Sequence, residues 1–317
     1  MSRARARGHI LLPLDGSEVS RLALGPAGTM SSITGWPLRL LHVGPADLTL
    51  REAKVRLGLT HLPLPKLKLV LATGDATSEI LAAAEASEVR MVVMASHGAT
   101  ADLMRRAGSV TDVVLRRILT PLLVVRPGTL DLGGGIRRIL VPLDGSPGAA
   151  GALRPAVQLA HKTAATLTVL HVLTPERPRT HGTFTAPGYA DQAQYEWGDW
   201  RKEFLARFCQ SCPTMEVEMS VRSGDPAARI LESADLLPAD LVVISWSHRL
   251  AGKRARAVKA LLERAPCPVL FLPCLPPPTV SSGPAPDRGE CDQIDLLGEG
   301  RTRWSQRRTR RRAAAGA

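Results

Sequence analysis

Residues 91–114, MVVMASHGATADLMRRAGSVTDVV, bring together the side chains and glycines best suited to hold an anion. A short apolar run over 91–95, bounded by polar residues, suits a buried parallel strand. Gly98 follows the run, and after nine intervening residues come Gly108 and Ser109. Ser109 with Asp112 three residues on is a helix start of the capping-box kind. An apolar face of Val110, Val113, Val114 and Ile118 continues from it. Strand, glycine loop and helix start in that order can cradle a phosphate. Glycine lets the backbone approach closely, and the first N–H groups of a helix point outward at the charge. The other reading is a loop whose glycines only make turns.

The elements that would position such a loop occur twice. Residues 10–17 read ILLPLDGS and residues 139–146 read ILVPLDGS. The same offset carries Leu41-His42-Val43 onto Leu170-His171-Val172, and Pro26 onto Pro155. Further along, Gly74-Asp75 matches Gly224-Asp225 and Val92-Val93 matches Val242-Val243, so repeat two carries an insertion between its second and third strands. Each repeat alternates strand and helix, which predicts a parallel sheet covered on both faces. Strands are expected over 9–14, 38–43, 66–72, 91–95 and 122–125. Ser17 is placed to cap the first helix, and Ser146 its counterpart with Pro147 at the first helical position. Pro26 and Pro155 fall inside those helices and should kink them or delay their start. The glycines at 133–135 form the linker. The insertion over 173–210 gathers Phe184, Tyr189, Tyr195, Trp197, Trp200, Phe204 and Phe208, a packed core or a lid. The domains expected are 1–130 and 136–275, followed by a disordered tail at 276–317 rich in Pro, Ser, Gly and Arg.

With 317 residues the chain can form two domains with cores of their own. The net charge of +12 is concentrated at the ends, with Arg3, Arg5 and Arg7 before the first strand and seven arginines between 301 and 312. Such arms are solvated tails or make non-specific contact with nucleic acid. No apolar run reaches the ~20 residues of a membrane span, and the N-terminus lacks a secretory pattern, so a cytoplasmic location is expected. Five cysteines, with one isolated CxxC at Cys209 and Cys212, fit small buried side chains better than a zinc or disulfide framework.

The order P-L-D-G-S, L-H-V, G-D and S-H-G-x9-G-S, present over 9–126 and in part again over 137–273, resembles the universal stress protein family. The resemblance implies a tandem of two doubly wound, Rossmann-like domains of the adenine nucleotide alpha hydrolase type, each a five-stranded parallel sheet in the order 3-2-1-4-5. It also implies that the repeats pair through their last strands as an intramolecular pseudo-dimer, with a homodimer as a further possibility. Nucleotide-binding members carry G-x2-G-x9-G-S/T, which falls here on Ala95, Gly98, Gly108 and Ser109, so the first glycine is replaced. Carried over by position, Pro13, Leu14, Asp15 and Val43 would line adenosine beside Met94 and Ala95, and Gly98, Gly108, Ser109 and Val110 would hold phosphates. The ligand implied is ATP, with Mg2+ as its companion. Asp15 can accept ribose hydroxyls or help hold that metal, or it is a turn residue bonding its own backbone. His97 faces phosphate or is a neutral structural histidine.

Repeat two keeps Pro142, Leu143, Asp144, Gly145 and Val172, but Gly108-Ser109 become Ala255-Arg256 and the loop is three residues shorter. Lys253, Arg254 and Arg256 form a solvated face or attract an anion by charge alone, and Trp246 is expected to fill the space a ligand would need. The chain has no Walker A lysine, no G-x-S-x-G elbow, no paired catalytic carboxylates and none of the S-G-G-x-D-S or H-I-G-H signatures of related nucleotide enzymes. The expectation is therefore an ATP-binding regulatory or stress-response module with little or no hydrolysis. The alternative is a tandem module that binds no nucleotide and acts through protein contacts.

Overall fold

β-branched and leucine-rich runs bounded by Gly, Pro and Asp build the strands, and the apolar periodicity between them builds the helices. A computed structural model describes residues 8–60, 68–97, 109–129, 132–144, 147–174, 217–247 and 252–274. Repeat one contains β1 (His9–Pro13), α1 (Glu18–Arg21), α2 (Leu24–Thr34), β2 (Leu38–Val43), α3 (Leu50–Arg56), β3 (Lys68–Ala72), α4 (Ala76–Ala84), β4 (Val89–Ala95), α5 (Ser109–Arg117) and β5 (Leu122–Val125). Repeat two contains β6 (Arg138–Leu143), α6 (Pro147–Ala150), α7 (Leu153–Thr163), β7 (Thr166–Leu173), β8 (Val217–Ser223), α8 (Pro226–Leu236), β9 (Leu241–Trp246), α9 (Gly252–Arg264) and β10 (Val269–Pro273). The aromatic insertion, the CxxC, Ser146 and the Arg-rich tail lie outside the described residues.

The strands form one sheet of ten in the order β3-β2-β1-β4-β5-β10-β9-β6-β7-β8. Each half has the expected parallel order, and the halves meet where β5 and β10 pair antiparallel, Leu123 opposite Leu270 and Leu122 opposite Phe271. Two short apolar edges that would otherwise invite foreign strands thus cover each other. Alternation along these strands feeds two cores. Leu123, Val125, Leu270 and Leu272 face the α1–α2 and α6–α7 side, whereas Leu122, Val124, Val269 and Phe271 face α4, α5, α8 and α9. Both cores run across the seam without a break.

The duplicated prolines behave as their chemistry demands. The first helix stops at Arg21 and restarts at Leu24, which places Pro26 third in α2; Pro155 is likewise third in α7. There the missing N–H has no intrahelical partner to lose. Ser17 caps α1 by accepting the Ser20 N–H at 3.0 Å. The G-D motif proves to be a turn and a cap. Gly74 and Gly224 hold φ of +127° and +133°, while Asp75 and Asp225 accept the N–H groups of Ser78 and Ala228. The glycine linker is anchored at its start, since residues Leu132–Gly134 form a 3-10 turn whose Leu132 is buried and accepts the Thr29 hydroxyl at its carbonyl, while Gly133 and Gly134 are exposed.

His9 at the start of β1 is 5% exposed. Burial first, then the charges of Arg39 and Lys68, push its imidazole down to about 4 against a partial pull upward from Glu88. The folded ring is neutral at a pH where the unfolded one, with a value near 6.5, takes a proton. Stability present above pH 6.5 should therefore be lost as the pH falls towards 4, by about 2 kcal/mol. Urea unfolding between pH 7 and 4.5 checks this. His9→Gln should flatten the slope, and an unchanged slope would mean that other groups carry it.

Candidate functional site

Parallel pairing brings the carboxyl ends of β1, β2 and β4 to one edge of the sheet, on either side of the point where the strand order reverses. Pro13 ends β1, Val43 ends β2, and Met94 and Ala95 end β4. The chain beyond β1 stays tied to β2, because the Leu14 N–H donates to the Leu41 carbonyl at 2.9 Å and the buried His42 Nδ1–H donates to the Leu14 carbonyl at 2.7 Å. Repeat two makes the same bond from His171 to Leu143 at 3.0 Å, so the histidine of the L-H-V motif is a clasp between neighbouring strand ends. Leu14 is buried with Ala23 and Ala27 in the α1–α2 core.

Asp15 is exposed at the tip of this edge, and its Oδ1 accepts the Ser17 N–H at 2.9 Å. The turn reading of Asp15 is thus realised for one carboxylate oxygen. Gly16 follows with φ +92°, and a Cβ there would come within 3.1 Å of the Arg56 carbonyl at the end of α3. That helix carries a full capping box between Thr49 and Glu52, a T-x-x-E signal present in the sequence at the wall of the site.

Ser109 is the first described residue of α5, and Asp112 pairs with Arg116 one turn on. A side chain that motif reading missed anchors this turn. Thr111, 2% exposed, donates its hydroxyl to the Ala95 carbonyl at 2.9 Å and fixes the first turn of α5 to the end of β4. Val110 packs on the same core as Val43 and Met94. Ser109 and Val110 are the first described residues of α5, and the N–H groups of a helix's first turn have no intrahelical partner. Ala95, Met94, Val110, Ser109, Val43, Pro13 and Asp15 therefore share one edge. Gly98 and Gly108 lie outside the described residues. His97 is buried, with Nδ1 2.7 Å from the Ser96 hydroxyl, which fits its structural reading. No group of three or more His, Cys, Asp or Glu side chains fit to hold a metal occurs among the described residues, and no helix among them is long and apolar enough to cross a membrane.

At the equivalent edge of repeat two, helices α5 and α9 end at matching positions, Arg117 and Arg264, and α9 is described from Gly252 onward. Ala255, the counterpart of Gly108, is fourth in the helix, where its N–H has entered the intrahelical ladder. Trp246 corrects the sequence expectation. Its indole does not line the cavity at this edge but is buried in the seam core, where Nε1–H donates to the Leu115 carbonyl of repeat one at 3.0 Å. The sheet continues through the seam, so the Trp246 side chain at the end of β9 reaches the last turn of α5. Cys267 and Cys274 are buried free thiols, and burial pushes Cys267 up to about 12, so it is inert.

A model of the universal stress protein family matches residues 44–126 and 135–273, well over half of the chain. The chain belongs to the universal stress protein family. The first match begins just after Val43, so Pro13, Leu14, Asp15 and Val43 precede it, whereas their counterparts in repeat two fall inside the second. Among solved structures, a universal stress protein from Archaeoglobus fulgidus DSM 4304 is 21% identical with a TM-score of 0.59, covering 84% of this chain and 98% of its own. A functionally unknown protein from Pseudomonas aeruginosa PAO1 is 17% identical with a TM-score of 0.61, covering 85% and 93%. These likenesses concern the fold. No curated protein matches the chain. Two matched segments, and solved chains covered almost end to end, agree with a tandem universal stress protein of Rossmann-like α/β architecture.

Proposed function

We propose that this universal stress protein is a regulatory module that holds one ATP-type nucleotide in repeat one and turns it over slowly or not at all. The observation that carries the reading is the start of α5 at Ser109, tethered by Thr111 to the end of β4. A helix start fixed beside a strand end at the switch point offers backbone N–H groups to an anion. Pro13, Asp15, Val43 and Met94 would take the nucleoside, with Asp15 beside the ribose. Ala95, Gly98, Gly108, Ser109 and Val110 would surround the phosphates. A Mg2+ ion would arrive with those phosphates, and Asp15 would be the carboxylate to meet it. The absence of a general base motif in the sequence supports slow or absent hydrolysis.

Mass spectrometry of gently purified protein, followed by titration with ATP, tests the reading. An adenine nucleotide at no more than one per chain is expected. A second reading, a tandem module that works through protein contacts alone, draws on Ala95. This buried residue puts a methyl group where the family motif has glycine. Protein that carries no nucleotide and gives no heat with ATP would favour it.

A further inference from the structure

We infer that the amino ends of β1–β4 form a contact surface for nucleic acid, engaged through its phosphates and without readout of sequence. This end of the sheet is opposite to the edge proposed for the nucleotide. Arg39 on β2 and Lys68 on β3 are paired in register, and Arg90 stands near the start of β4. Repeat two has Thr168, Glu218 and Asp240 at these three places, as the matching strand registers show. There the Thr168 hydroxyl donates to Glu218 at 3.2 Å, and one Asp240 oxygen accepts the N–H groups of Arg137 and Arg138, each at 2.8 Å. In repeat one Arg39, Lys68 and Arg90 form no ion pair among the described residues, and Glu88 is the carboxylate beside His9 and Arg39. Three strand positions that are neutral or acidic in one half are thus all basic in the other.

Unmet donors mark the same end. Arg90 lies along the backbone of Gly8, where a Cβ would collide with its side chain, and its Nε is buried without an acceptor. The Nε2 of buried His9 has no partner either. From Lys68 to Arg90 the strands β3-β2-β1-β4 cover about 14 Å at ~4.8 Å per step, over which one strand of a duplex presents roughly four phosphates. The chain enters β1, in the middle of this row, directly after Arg3, Arg5 and Arg7. Chemistry chooses among acidic partners. Arginine and lysine bind phosphate oxygens through charge-assisted hydrogen bonds. A protein interface or a membrane surface also needs apolar anchors. The exposed large apolar side chains among the described residues are Leu22, Leu50, Val55, Leu173 and Leu236, none of them on β1–β4 or in the turns leading into β2 and β4.

The probes are a fluorescently labelled RNA strand of about 20 nucleotides and a DNA duplex of the same length, titrated with the full-length chain under saturating ATP. Anisotropy should report binding in the micromolar range at about 50 mM salt, and the tighter probe names strand or duplex as the source. Arg39→Gln with Lys68→Gln should weaken binding about tenfold. It should also flatten the logarithmic salt dependence by about 1.4 for the RNA strand and about 1.8 for the duplex. Lys162→Gln with Lys259→Gln removes the same charge from α7 and α9 and should change affinity by less than about twofold. Circular dichroism confirms that each variant is folded. A full-length chain whose seven arginines between 301 and 312 are changed to Gln should keep its response to the Arg39 and Lys68 exchanges. No binding of either probe, equal weakening by the two double variants, or loss of all binding with the tail arginines would overturn the inference. Poly-glutamate that displaces the RNA as well as unlabelled RNA does would overturn it too, in favour of an acidic protein.

Discussion

Trp246→Ala is expected to lower stability by about 3–5 kcal/mol, the usual cost of removing a large buried aromatic side chain. Trp246 is among the largest fully buried residues, and it lies where the two repeats meet. Its hydrogen bond adds to the loss. Leu115 falls in the last turn of α5, where carbonyls have no intrahelical donor, and the indole N–H supplies one from the other repeat. Trp246→Phe keeps most of the volume and leaves that carbonyl short of a partner, so about 1–2 kcal/mol should be lost. Thermal unfolding of the three proteins separates the terms, with a fall of roughly 10 °C for the alanine variant. A midpoint unchanged in Trp246→Ala would mean that the seam does not depend on the indole.

The duplication and the elements were legible because they rest on short-range signals, whereas the strand order and the pairing of the last strands came from the family resemblance. Period-two apolar runs, the D-G-S turn and the G-D cap each report on neighbours only a few residues away. The prolines were legible for the same reason, since the lost N–H acts within one turn. Trp246 was misread because its partner is 131 residues distant, and only the continued sheet brings them together. Thr111 gave no motif, since a threonine in a first helical turn is ordinary until the strand end it reaches is known. The early start of α9 left a faint trace. Its Gly-Lys-Arg-Ala-Arg-Ala opening is rich in helix formers, whereas α5 opens directly after Gly108-Ser109. Sequence alignment showed a shorter loop there, and in the structure Ala255 lies within α9.

That difference decides how two glycine exchanges should behave. Gly108→Val is expected to weaken ATP binding by about two orders of magnitude, while Ala255→Gly should create no second nucleotide site. Gly108 immediately precedes the first residue of α5, at the position where a phosphate oxygen would approach the backbone. A branched side chain there blocks the approach and removes charge-assisted hydrogen bonds of about 1.5–3 kcal/mol each. The reverse exchange in repeat two removes only a methyl group. Ala255 would still be fourth in α9 with its N–H inside the ladder, and the basic residues around it supply attraction without the outward-facing donors. Titration of the wild type and both variants with ATP gives affinity and stoichiometry together, and circular dichroism confirms that each variant is folded. Two nucleotides per wild-type chain would show that a helix start is not what admits the phosphates. Unchanged affinity in Gly108→Val would place the nucleotide away from the edge shared by Ala95, Ser109 and Val110.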